Sequence, residues 1–178
     1  MISQLFRVLR ARLPRVMAAA LLLAACMPSY NWRELEVADG HARAAFPARV
    51  QAETRDITLG GQTLRFTLTM AEVNNAMFAV GHAPLPPDIA SDPAARDALG
   101  RALTQSLYAN LGAQAPQPLP AYGDEIVVHG RAGQQAGWLM ARVWVTDTML
   151  IDAVAAGTEQ TLPVERAQEF VRAVKIRQ

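Results

Sequence analysis

Residues 49 to 70 run into and out of Gly60-Gly61, and both flanks read as strands. Two successive glycines accept the positive φ angles that a two-residue hairpin turn requires. On the return side Leu64, Phe66, Leu68 and Met70 alternate with Thr63, Arg65, Thr67 and Thr69. That period of two puts the apolar set on one face of a strand and the polar set on the other. A lone hairpin is not stable in water, so its apolar face must be covered by further strands or a helix.

The rest of the chain supplies both. WRELEV and ARAAF flank the turn-rich ADGH and suggest an earlier hairpin. Asn74-Asn75 turns the chain from QTLRFTLTMAEV into AMFAVGHAPL. The period then changes. Asp92 suits a helix N-cap with Pro93 at the first helical position, and Gly112 suits a C-terminal stop. Between them Ala95, Leu99, Leu103, Leu107 and Leu111 recur every four residues and make one apolar stripe, with Gly100 marking a close approach. After a proline-rich loop come EIVVHG, GWLMARVWVTD and TMLIDAVAAG, the last two apolar enough to be covered on both faces. Pro163 opens a closing helix, VERAQEFVRAV. The expectation is one α+β domain over residues 32–178, with an antiparallel β-sheet of about six or seven strands, one long central helix and one C-terminal helix.

The N-terminus has a different character. Arg7, Arg10, Arg12 and Arg15 precede an apolar run from Val16 to Ala25, and Cys26 follows at once. Ten apolar residues rise about 15 Å as a helix. That is half of a ~30 Å hydrocarbon core, too short to span it but right for a signal-peptide core. Leu23-Ala24-Ala25-Cys26 resembles the bacterial lipobox, with a branched apolar residue, two small ones and then cysteine. The resemblance implies a signal peptide over 1–25, recognised by the peptidase through Leu23, Ala24 and Ala25. Cys26 would then be lipidated, with 26–31 a short tether. An ordinary secretory signal with a chance cysteine is the alternative. Several acyl chains at ~0.8 kcal/mol per buried methylene give stable anchoring. Met27 stands where the inner-membrane retention signal would place aspartate, so the resemblance favours the outer membrane, facing the periplasm.

Charge follows this division. The chain has 17 basic and 16 acidic residues, but without the four leader arginines the remainder carries 13 and 16, a formal −3. That balance offers no basic footprint for nucleic acid. One cysteine precludes an intrachain disulfide.

The strand ending in Phe46-Pro47, the meander, the helix, three strands, the Gly130-to-Gly137 turn region and a helix with an apolar-basic tail together resemble the PsbP-like fold. The resemblance spans roughly residues 30–178 and implies a protein-binding role without a shared catalytic residue.

Candidates for chemistry are few. Beyond the leader the serines are Ser29, Ser91 and Ser106, none in a nucleophile elbow. His41, His82 and His129 lack helical metal spacing and read as singly bonded or exposed. Asp124-Glu125 points to opposite faces of a strand start. Asp152, inside TMLIDAVAAG, must be exposed or paired, and Arg142 in the neighbouring strand is the expected partner. Trp138 and Trp144, six apart, share a strand face and read as core or as a candidate binding surface. No catalytic, metal or cofactor site is expected. The leading expectation is a non-enzymatic envelope lipoprotein that binds a protein partner and reaches the membrane through its anchor. A small-ligand or lipid-binding lipoprotein is the alternative, with a pocket between helix and sheet lined by Phe66, Phe78 and Leu103. A metal-dependent enzyme using the histidines ranks below both.

Overall fold

A computed structural model describes residues 30–177; Leu23, Ala24, Ala25, Cys26 and the first part of the tether lie outside the described residues. The chain is α+β, with antiparallel pairing throughout both of its sheets. The strands are β1 (Arg33–Val37), β2 (Ala42–Phe46), β3 (Gln51–Leu59), β4 (Gln62–Val73), β5 (Ala76–Pro84), β6 (Ile126–Ala132), β7 (Gln135–Val145), β8 (Met149–Gly157) and β9 (Lys175–Ile176). The helices are α1 (Pro87–Ala90), α2 (Pro93–Ala109) and α3 (Val164–Ala173).

Two sheets form where one was expected. The larger has six strands in the order β3-β4-β5-β8-β7-β6, and the smaller has three, β1-β2-β9. The first hairpin does not extend the meander. Its β2 pairs with β9 through Ala42↔Ile176 and Arg43↔Lys175, so the chain's end closes the small sheet.

Among the described residues three helices form where two were expected, and the longest, α2, is not central: the central layer is the six-stranded sheet. On one face α2 lays Leu99, Leu103 and Leu107 over Leu139, Ala141 and Val143 of β7. On the other, α3 and the small sheet cover Phe78, Val80, Met140, Ile151, Ala153 and Ala155. A sheet faced on both sides needs apolar residues at successive positions, and β8 is buried from Met149 through Ala155.

The local signals act as the residue types dictate. Gly60 and Gly61 take φ of 56° and 80°, and Asn74 and Asn75 take 51° and 64°, so both turns are two-residue hairpins. Asp92 caps α2 by accepting from the Ala94 N–H at 2.9 Å. Gly100 faces β7: a Cβ there would meet Val145 Cγ2 at 2.5 Å and the Tyr122 hydroxyl at 2.6 Å. Tyr122 donates to the Asp97 carbonyl at 2.8 Å, fastening the proline-rich loop to α2.

The chain joins the domain already at Tyr30. Its ring stacks on Trp32 at 6.0 Å and lies under the Arg166 guanidinium, 4.9 Å from the ring centroid. The Asn31 N–H donates to Pro47 O at 2.7 Å.

Candidate functional site

Side chains on β4 and β5 that α2 leaves uncovered define the site. The helix lies over β7 and reaches toward β3, crossing the sheet obliquely. Between them opens a groove of about 520 Å³. Phe66, Leu68 and Met70 of β4 form one wall, Leu103 and Leu107 of α2 the other, and Ala79, Val154 and Ala156 the floor. Leu68, Met70 and Met77 are only half-buried, so apolar surface remains unpartnered here. Glu53 and Arg55 of β3, both exposed and of opposite charge, stand among the lining residues.

One lining residue is ionisable and buried. Asp152 of β8 is 5% exposed, and its Oδ1 has no hydrogen-bond partner among the described residues. Burial pushes its carboxyl up to about 7 from an ordinary 3.8, against a smaller opposing pull from the backbone N–H groups of Gly81 and of Asp152 itself. The cross-strand row runs Glu53, Leu68, Gly81, Asp152, Val143. Gly81 makes the room: a Cβ on it would overlap both Asp152 Oδ1 and the Phe66 ring. We expect Gly81→Ala to cost about 1–3 kcal/mol through this overlap. Chemical denaturation measures it, and an unchanged midpoint would contradict the packing described.

The expected Asp152–Arg142 pair does not form. Arg142 lies opposite Ala153, whereas Asp152 lies opposite Val143, so the two side chains point to opposite faces. Arg142 donates instead from Nε to Gly123 O at 2.6 Å and lies 5.3 Å from the Trp144 ring centroid. Phe78, expected to line the pocket with Phe66 and Leu103, is also on the other face. It packs at 5.5 Å against Phe170.

The remaining candidates scatter. Trp138 is buried and stacks on His129 at 5.9 Å, while Trp144 is half-buried beneath Arg142; both lie on the face away from the groove. His82 is buried on that same face, with Nε2 3.7 Å from Asp39 Oδ2 and Nδ1 unpartnered among the described residues. Burial lowers its pKa. Glu125 pairs with Arg172 at 2.5 Å and Asp147 with Arg96 at 3.3 Å. Ser106 reaches the groove, but its hydroxyl donates to Leu103 O at 2.7 Å. Among the described residues no group of three or more His, Cys, Asp and Glu side chains is placed to hold a metal ion.

Asp152 was visible in the sequence as an acid in an apolar strand, but its role as part of a groove was not. The signal was the absence of any basic residue on its own face of β7. No family model, no curated protein and no solved structure matches the chain.

Proposed function

We propose that the protein is a lipid-anchored lipoprotein of the bacterial envelope, without catalytic activity, whose domain binds a small apolar ligand between α2 and the six-stranded sheet. The observation that carries the ligand reading is the groove itself. Its 520 Å³ lies within the ~300–1,000 Å³ of small-molecule sites, with apolar walls and one buried polar group. The anchor rests on Leu23-Ala24-Ala25-Cys26, and on it the domain faces the periplasm, at the outer membrane, with Tyr30 only four residues from the acylated cysteine. The order of hairpin, meander, helix, three strands and closing helix is what supports a PsbP-like assignment.

A homologous series of n-alkyl alcohols displacing an environment-sensitive dye tests the binding. Each added methylene contributes about 0.8 kcal/mol, or about fourfold in affinity, until the groove is full. Ala79→Phe, which fills the floor, should abolish that dependence. Affinities indifferent to chain length, or unchanged by Ala79→Phe, would contradict the reading.

A protein partner is the second reading, and β3 favours it. It is an edge strand of the large sheet, and its residues Gln51 to Asp56 are exposed. An edge can accept an extended segment through main-chain hydrogen bonds. In-cell crosslinking followed by mass spectrometry would recover one stoichiometric envelope protein if that reading holds, and none if it fails.

A further inference from the structure

The groove has an acid at its floor, and the one cation among its lining residues, Arg55, is exposed on β3. Asp152 is 5% exposed, lines the groove, and leaves Oδ1 without a partner among the described residues. The basic residue nearest to it along the ladder, Arg142, is turned to the opposite face of the sheet. The charged groups that share its face are Glu53 and Arg55 on the exposed β3, opposite in sign and two residues apart. From α2 the groove receives Leu103, Ser106, Leu107, Asn110 and, just past the helix, Leu111, none of them charged.

A carboxyl with one oxygen unpartnered in an apolar enclosure is costly to ionise, and a fold that keeps one calls for a partner or a role. Gly81 and Phe66 enclose it closely, since a single Cβ on Gly81 would fill the space its Oδ1 occupies. The geometry points to a ligand that is an apolar amine: its hydrocarbon body occupies the space between Leu68, Met70, Leu103 and Leu107, and its ammonium pairs with Asp152. This rests on the ligand-binding reading above and names the class of molecule that the groove selects. A carboxylate head would meet a like charge. A hydroxyl head would gain one neutral hydrogen bond, weaker than a charge-assisted one.

The test compares dodecylamine, dodecanol and dodecanoate, each below its aggregation concentration, displacing a fluorescent probe from the purified protein at pH 8. Dodecylamine is expected to bind at least about tenfold more tightly than the other two, the increment of one charge-assisted hydrogen bond. Asp152→Asn should erase that preference. Leu68→Lys provides a second variant: it lies in the same cross-strand row, next to Gly81, and its own ammonium should replace that of the ligand. Loss of the amine preference in both variants supports the inference. No preference in the unaltered protein, or one that survives in Asp152→Asn, overturns it while dodecanol binding keeps the groove reading intact. If none of the three displaces the probe, the groove reading itself fails and the inference falls with it.

Discussion

Asp152→Asn should make the protein more stable at pH 8 than at pH 4, relative to the unaltered chain, by about 4 kcal/mol. The carboxyl titrates near 3.8 when unfolded and at about 7 when folded, and each pKa unit corresponds to about 1.36 kcal/mol. Between these values the unfolded chain has released its proton while the folded one still holds it. The stability this group contributes is therefore full below about pH 4 and is lost as pH rises through about 7. Asparagine does not titrate, so the difference between variant and parent should grow across that window and level off above it. His82 acts in the opposite sense, because burial lowers its folded pKa and acid must force a charge into the core. It is present in both proteins and cancels in the difference. Urea denaturation of both proteins at several pH values measures the effect. A difference that is the same at pH 4 and pH 8 would mean that Asp152 is not held in a desolvated site.

Phe170→Ala should cost about 3–5 kcal/mol, the usual range for deleting a fully buried aromatic ring. Phe170 is 0% exposed on α3, with its ring 5.4 Å from Phe46 of β2 and 5.5 Å from Phe78 of β5. One side chain thus joins the closing helix, the small sheet and the large sheet. Neither sheet can easily close over the vacancy, because each is held by its own hydrogen-bond ladder, so the cavity term should persist. The denaturation midpoint should fall while the urea dependence of the free energy stays the same. A loss below about 1 kcal/mol would show that the three elements pack without this ring.

The elements of the large sheet were legible because each had a local cause. Gly60-Gly61 and Asn74-Asn75 fixed two turns, the alternation from Leu64 to Met70 fixed a face, and Asp92-Pro93 and Gly112 bounded the long helix. The separate small sheet was not legible. Its third strand is two residues long, Lys175–Ile176, and two residues carry no period. Nor was α1 legible, a four-residue helix at Pro87–Ala90.

The site was missed for a different reason, which is parity. A two-residue turn at Asn74-Asn75 pairs Val73 with Ala76, and so places Phe78 opposite Ala71 rather than opposite the Leu64–Met70 set. Counting through the turn would have moved Phe78 to the far face and brought Ala79 and Gly81 to the near one. The same count across the turn before Met149 separates Arg142 from Asp152. A shift of one residue exchanges the two faces of a strand, so pairing arguments need the register as well as the neighbour. The groove's volume depends in addition on how α2 crosses the sheet, which only tertiary packing decides.

The central claim is that the α2 face of the large sheet receives a ligand. The most direct measurement is a titration of methyl-labelled protein with dodecylamine followed by heteronuclear NMR. The methyl signals of Leu68, Met70, Met77, Leu103 and Leu107 should shift together and saturate with one affinity, while those of Met140, Met149 and Ile151 on the opposite face stay in place. Shifts confined to the opposite face, or none at saturating ligand, would contradict the account.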